Sequence, residues 1–180
     1  MKSGLKSWKQ LSSRRVYKSP YIAIDEDRVI LPNGTVKKYY LSNQNRSAVS
    51  VLAFDNRGRF LLQKEYRYPV GKVMYSFPGG LVENGEKTLS AAKREFREET
   101  GYKAKNWRHL GSFYASPSRT NLRFFLYIAR DLTFVGDAPD EGEFLEHEWV
   151  SERKLRNMVK NGTINVQTEL ASLLLYFQGN

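Results

Sequence analysis

Cysteine is absent from these 180 residues, which excludes a disulfide framework, a thiolate zinc site and a cysteine nucleophile. Histidine is scarce: only His109 and His147 occur, so a mechanism built on an imidazole cluster is excluded as well. No apolar run approaches the roughly 20 residues that span a bilayer; the longest, such as Phe124–Ala129 and Leu173–Phe177, stop far short. The start, Met1–Trp8, lacks the apolar stretch of a secretory signal, so the expectation is a cytoplasmic protein with no membrane partner. Acidic residues are the minority, 19 against 29 basic, for a net charge of +10. The cations are scattered over Arg14-Arg15, Lys37-Lys38, Lys103/Lys105/Arg108 and Arg153–Lys160, without zinc-finger spacing or an RNA-binding aromatic signature, which argues against a nucleic-acid partner. The excess serves solubility as well as it serves a phosphate-bearing ligand. What is present is a core: 41% of residues are hydrophobic and 13% aromatic, which excludes global disorder.

Residues 15–42 alternate and turn like a small antiparallel sheet. Tyr21–Ile24 and Val29–Leu31 are β-rich, Glu26-Asp27 reads as a turn between them, and Pro32-Asn33-Gly34 is a hairpin signal before Val36–Leu41. Ala48–Phe54 and Arg59–Gln63 form a further strand–turn–strand pattern around Asp55–Gly58, and 69–80 reads as loop with a short strand at Met74–Phe77. The period then changes. Thr88–Thr100 has no glycine or proline, Leu89, Ala92 and Phe96 fall at helical spacing, and Gly101 follows as a stop. Strands are expected at Trp107–Ser112, Leu122–Ala129 and Glu146–Val150, and helices at Ser151–Lys160 and Val166–Phe177. The pattern is a mixed α/β chain: a β-rich segment, residues 1–45, followed by a larger domain, residues 46–180.

Glu95, Glu98 and Glu99 stand at i, i+3 and i+4, so a helix projects three carboxylates onto one face. Taken alone, such a triplet reads first as a solvated acidic face. A divalent cation also offsets the repulsion, because Mg²⁺ takes carboxylate oxygens together with water and substrate phosphate. Arg94 and Glu86 are suited to pair and fix the loop against the helix, while Gly80 and Gly85 let that loop turn tightly.

The complete spacing is more specific. Gly80, five residues, Glu86, seven residues, then Arg94-Glu95-Phe96-x-Glu98-Glu99-x-Gly101-Tyr102 resembles the signature of the Nudix hydrolases at every polar position. Phe96 and Tyr102 occupy hydrophobic slots where aliphatic residues are commoner. The resemblance implies the Nudix fold, a mixed β-sheet between helices, preceded here by a small N-terminal antiparallel sheet. Outside this box the chain resembles the ADP-ribose pyrophosphatase and nucleoside-diphosphate-sugar hydrolase branch, on four features. These are the β-rich N-terminal segment, Gln63-Lys-Glu-Tyr-Arg67, Ser76-Phe-Pro-Gly79-Gly80, and Pro117 placed 16 residues after Gly101. That branch implies a homodimer that exchanges the N-terminal segment.

The same resemblance implies roles. Gly79, Glu95, Glu98, Glu99 and Glu143 are the expected Mg²⁺ ligands, with Mn²⁺ as a substitute ion. Glu141, in the acidic stretch 139–149, is the expected general base, with Glu98 and Arg94 as further catalytic groups. Tyr21, Tyr40, Arg67, Gly80, Leu81 and Arg119 are the expected substrate contacts. For the acidic stretch the alternative is a solvated surface loop, since five acids between 139 and 148 leave the register open. The run Ser116-Pro117-Ser118-Arg119 departs from the branch's Ser-Pro-Gly, and an acid expected near Asn121-Leu122 is missing. The implied reaction is hydrolysis of a nucleoside diphosphate sugar, of ADP-ribose or GDP-mannose type, to a nucleoside monophosphate and a sugar phosphate. The alternatives are a Nudix hydrolase of dinucleoside polyphosphates, coenzyme A or capped RNA, and a silent Nudix domain that binds nucleotide or RNA.

Overall fold

The computed structural model describes residues 6–20, 22–42, 46–136 and 144–179. The chain divides into two compact units, one comprising residues up to Arg46 together with Tyr114–Leu122, the other comprising Ser47–Phe113 and residues from Arg123 onward.

The first unit is an antiparallel sheet of β1 (Lys9–Lys18), β2 (Ala23–Ile30) and β3 (Val36–Ser42), with β2 in the middle. Pro32-Asn33-Gly34 makes the expected turn: the Gly34 N–H donates to the Leu31 carbonyl at 2.9 Å, and Gly34 has φ 87°. The turn expected at Glu26-Asp27 does not exist; β2 runs straight through it. Acids are poor strand formers in isolation, but opposite charges directly across a ladder offset that. Arg14 faces Glu26 and Arg15 faces Asp25 across β1–β2. Glu26, only 6% exposed, accepts from the Tyr40 hydroxyl at 2.7 Å, from Lys38 at 3.2 Å and from Arg14. Strand β1 begins at Lys9, earlier than the alternation from residue 15 indicates; there Lys9 pairs with Ile30, and Gln10 Nε2 donates to Asp27 Oδ2 at 2.9 Å. Within the same unit the Ser42 N–H donates to the Arg119 carbonyl at 2.9 Å, and the Tyr39 hydroxyl donates to the Ser118 carbonyl.

The second unit contains β4 (Ser47–Ala53), β5 (Phe60–Arg67), β6 (Lys72–Ser76), α1 (Thr88–Thr100), β7 (Tyr102–Tyr114), β8 (Arg123–Phe134), β9 (Glu146–Val150), α2 (Glu152–Lys160) and α3 (Gln167–Gln178). Its strands form two sheets, β4-β8-β7 and β6-β5-β9, with β4 parallel to β8 and β5 antiparallel to both neighbours. The Asp55–Gly58 turn therefore does not make a simple hairpin. It sends β4 and β5 into different sheets, which are bridged at Phe54–Phe60.

Side chains alternate across these strands with period two. Val49, Val51, Ala53 and Leu61 pack with Ala91, Ala92 and Phe96 of α1, while Leu52, Phe60 and Leu62 pack with Leu155 of α2 and Leu173 and Tyr176 of α3. Helices thus cover both faces, the mixed α+β arrangement expected of this chain. Phe96 is fully buried and meets Trp107 edge to face at 5.9 Å, which fixes the rotation of α1 about its axis. Ala91 completes the buried face; Leu89, two turns before Phe96, stays 37% exposed. Gly101 ends α1 at φ 70°, its N–H donating to the Arg97 carbonyl. No helix among the described residues is long and apolar enough to cross a membrane.

The Tyr40 hydroxyl, with Lys38 and Arg14, holds the Glu26 carboxyl down to about 2 from its ordinary 4.5. A depressed acid stabilises the fold above its unfolded value and loses that contribution as pH falls through the folded one. Glu26→Gln is therefore expected to destabilise the protein at neutral pH. Urea unfolding across a pH series is expected to show the difference from the wild type closing between pH 4.5 and about 2.

Candidate active site

The site is built around a turn without side chains. Val51 N–H donates to the Pro78 carbonyl and Val49 N–H to the Gly80 carbonyl, both at 2.8 Å, so the segment following β6 is tied along β4. Gly79 has φ 152° there, and a Cβ on it would lie 2.1 Å from the Val49 carbonyl oxygen. Only glycine fits. A Cβ on Gly80 would lie 2.5 Å from the carboxylate of Glu95. The Gly79 N–H donates to Glu99 Oε2 at 2.7 Å. The turn and α1 thus bring Gly79, Gly80, Glu95 and Glu99 together.

Arg94 organises the rest. It donates to Glu86 at 3.0 and 3.2 Å, to Glu95 at 2.9 Å, to Glu98 at 3.0 Å and to the Leu81 carbonyl at 3.1 Å. The Glu86 contact, reinforced by Glu95 and Glu98, pushes the guanidinium even further above its ordinary value. Arg94 in turn holds the Glu86 carboxyl below the ordinary carboxylate range, helped by the Glu83 N–H. Gly85, at φ 80°, provides the turn before Glu86. The expected Arg94–Glu86 pair is present, and Leu81 takes part through its backbone while its side chain is 41% exposed.

The donors suit a hard divalent cation. Carboxylate oxygens from Glu95 and Glu99 stand beside a backbone turn, Glu98 is tied to the same guanidinium as Glu95, and the missing side chain at Gly80 keeps clear the space in front of Glu95. Among the described residues no three acidic or imidazole side chains already converge as a ligand set; Arg94 holds Glu95 and Glu98.

Strand parity sorts the outer candidates. On β5, Leu61, Gln63, Glu65 and Arg67 share the face turned to α1, and Arg67 pairs with Glu65 at 2.9 Å. Glu148 lies opposite Leu62 on the other face, where Lys154, Tyr75 and Lys64 hold its carboxyl below the ordinary range. Glu146, opposite Lys64, shares that face. Both acids therefore point away from the α1 carboxylates. Tyr40 spends its hydroxyl on Glu26 and leaves its ring 55% exposed; Arg119 joins the first unit through its backbone. Tyr21, Glu141 and Glu143 lie outside the described residues.

Two buried polar groups were given no role by the motifs. Gln63, 1% exposed, brings Nε2 to 3.5 Å from Glu99 Oε1 and leaves its own Oε1 without a partner among the described residues. Glu169, 4% exposed in the first turn of α3, receives the backbone N–H groups of Phe77 and of Glu169 itself, and its Oε2 has no partner among the described residues. Burial pushes its carboxyl upward, against those N–H groups and the Arg67 charge. The only signal for Glu169 was a lone acid opening an apolar helix, which reads equally as a response to the helix dipole.

The two glycines separate folding from chemistry. Gly79→Ala drives a Cβ into backbone and is expected to cost more than about 3 kcal/mol of stability. Gly80→Ala meets only the flexible end of Glu95, so its melting temperature is expected to stay near the wild type's. Its divalent-ion affinity, read by calorimetry, is expected to fall about 10- to 100-fold.

Comparison with known proteins bears on this geometry. A NUDIX domain model matches residues 44–168, and a model described as nucleoside diphosphate sugar hydrolase N-terminal domain matches residues 8–42. The ADP-ribose pyrophosphatase of Bacillus subtilis (strain 168) is 31% identical over 140 residues, covering 77% of this chain and 75% of that protein. The methanol dehydrogenase activator of Bacillus methanolicus gives the same identity and coverage, and the ADP-ribose pyrophosphatase of Mycobacterium tuberculosis is 26% identical over 91% of this chain and 80% of its own. The crystal structure of an ADP compounds hydrolase shares the fold at a TM-score of 0.87, with 23% identity over 97% of this chain and 94% of that one. The matched span contains the whole glycine–glutamate–arginine arrangement described above, and with it the chain belongs to the Nudix hydrolase family.

Proposed function

We propose that the protein hydrolyses the pyrophosphate linkage of an ADP-sugar, ADP-ribose first, to AMP and a sugar phosphate, in a Mg²⁺-dependent reaction. The observation that carries this reading is the Gly79–Gly80 turn wedged between β4 and the α1 carboxylates, where a side chain at Gly79 would strike the β4 backbone and one at Gly80 the Glu95 carboxylate. The relatives named as ADP-ribose pyrophosphatases supply the substrate class.

Glu95, Glu98, Glu99 and the Gly79 carbonyl would hold the divalent cation, and Glu143 is proposed as a further ligand. When bound, that ion neutralises the diphosphate and the charge developing on the leaving phosphate. The protein's own groups do the rest. The Gly79 N–H fixes one oxygen of Glu99, and Arg94 sets the approach of Glu95 and Glu98 while locking the loop through Glu86. Arg67, on the same side of β5 as Gln63, is suited to phosphate oxygens by its guanidinium fork and would exchange Glu65 for them. Glu141 takes the proton from water as its oxygen bonds to phosphorus; the bridging P–O bond breaks and the sugar phosphate departs with its electron pair. The position of Glu146 and Glu148 on the opposite face supports assigning the base to Glu141 rather than to these neighbours.

The assay is hydrolysis of a panel of nucleotide sugars, including ADP-ribose and GDP-mannose, with product identification. ADP-ribose is expected to give AMP and ribose 5-phosphate, and chelation of the ion is expected to abolish turnover. Glu98→Gln and Glu99→Gln are each expected to lower kcat by about two or more orders of magnitude while leaving the unfolding midpoint close to the wild type's. Retained activity in these variants would sink the assignment.

The homodimer belongs to the same reading. All ten residues of β1 are exposed, among them Leu11, Val16 and Tyr17, and this apolar surface supports pairing of the first unit with a second copy of the chain. Sedimentation is expected to give twice the chain mass, and a Leu11→Glu/Val16→Glu variant the chain mass alone; a monomeric wild type would overturn the pairing.

A further inference from the structure

A cavity of about 560 Å³ opens where β4 ends, between the Asp55–Gly58 turn, Tyr102 at the start of β7, Arg130 and Asp131 of β8, and Trp149 of β9. The glycine turn is tied to β4 at Val49 and Val51, whereas this cavity begins at Phe54, past the end of that strand. Among the described residues, none assigned above to the metal or the diphosphate lines it. Its size is that of a small-molecule site.

Two arginines lie on rings in its walls. The guanidinium of Arg130 sits 4.3 Å from the centre of the Phe54 ring, and that of Arg59 sits 6.0 Å from the centre of the Trp149 ring. The cavity also has two acids, and both are engaged. Asp55 accepts the N–H groups of Arg57 and Arg59 at 2.9 and 2.8 Å and Arg59 Nε at 2.7 Å, while Asp131 accepts from Asn106 Nδ2. Arg130 is different. Among the described residues it makes neither an ion pair nor a side-chain hydrogen bond, and Phe54, only 2% exposed, backs one face of its fork. Trp149 and Tyr102 meet edge to face at 6.0 Å, and neither the indole N–H nor the phenol has a hydrogen-bond partner among the described residues. The backbone is unusual at the same place. Asp131, directly after Arg130, stands at φ 57°, alone among the described non-glycine residues in the left-handed region. Such a conformation is costly for a residue with a side chain.

We infer that this cavity is a second binding site, which takes a small planar aromatic carboxylate. The charge of the ligand follows from the donors: a guanidinium, an indole N–H and a phenol stand without partners, while both carboxylates have theirs. Its flat ring follows from the walls. A ring laid on the free face of Arg130 continues the stack begun by Phe54, with Trp149 and Tyr102 closing the apolar side. A bare inorganic anion would leave those rings in water. An uncharged ring would leave the Arg130 fork unanswered, whereas a carboxylate meets it with two parallel hydrogen bonds. Because Phe54 already fixes the plane of the fork, little ordering is lost on binding. Neither the cavity nor its ligand depends on the hydrolysis proposed at the α1 carboxylates.

The test titrates sodium 2-naphthoate into the full chain at physiological salt, beside 2-naphthamide, an uncharged ring of the same size. Binding is followed by NMR at the indole N–H signals of Trp8, Trp107 and Trp149. Naphthoate is expected to bind in about the millimolar range or tighter, naphthamide at least about tenfold more weakly, and the Trp149 signal alone is expected to shift. R130Q is expected to weaken naphthoate about tenfold. R57Q removes an exposed arginine of the same turn that does not line the cavity, and is expected to leave the affinity unchanged. Absence of binding, equal affinity for the amide, a shift at Trp8 or Trp107 in place of Trp149, or an equal loss in R57Q and R130Q would each overturn the site. ADP-ribose turnover is measured in parallel; its absence from the wild type would sink the proposed reaction and leave the naphthoate result standing.

Discussion

The contact on which the site depends is the approach of Gly79 to β4, backbone on backbone, with no room for a side chain between them. The hydrogen bonds from Val49 and Val51 hold this segment in place, and from there its next free N–H reaches Glu99. The carboxylates are thus positioned by two rigid elements meeting, a buried strand and a helix whose rotation is set by Phe96, rather than by a mobile loop. Arg94 completes the arrangement. With three acids on one helix face, one guanidinium shared among Glu86, Glu95 and Glu98 offsets repulsion that would otherwise weaken α1, and it does so without blocking Glu99.

Much of this was legible in the sequence because it is local. The helix Thr88–Thr100, its stop at Gly101 and the Arg94–Glu86 pair follow from spacing and glycine placement, and the structure reproduces them. What was not legible depends on partners distant in the chain. Glu26-Asp27 looks like a turn until Arg14 and Arg15 are seen across the ladder. Strands β4 and β5 read as one strand–turn–strand pattern, yet β8 claims the first and β6 and β9 the second. Leu89 repeats the phase of Phe96, yet burial passes to Ala91. Periodicity records which residues share a face, not where along the helix that face is covered.

The candidate site shows the same division. Gly80, Glu95, Glu98 and Glu99 are fixed by one motif and arrive together. Gln63 opens the Gln63–Arg67 run but reaches Glu99 only once its strand is placed, and Glu169 enters through the C-terminal helix, where no motif announces a polar role. Glu169 is the sharper case. A carboxyl buried to this degree costs free energy unless its hydrogen bonds repay it, and one of the two N–H groups it receives belongs to Phe77, two residues before the glycine that sets the whole arrangement.

The parallel pairing of β4 with β8 has a kinetic consequence. Its partners run from Ser47 with Arg123 to Ala53 with Ala129, so the chain must close a loop containing β5, β6, α1 and β7 before the first ladder bond forms. Closing so long a loop loses entropy before any contact rewards it, and folds rich in such pairings reach the native state slowly. Helix α1, crowded with like charges, gains its main support only when that sheet is present to receive Phe96. The support of the acidic face therefore rests on a pairing between segments far apart in the chain.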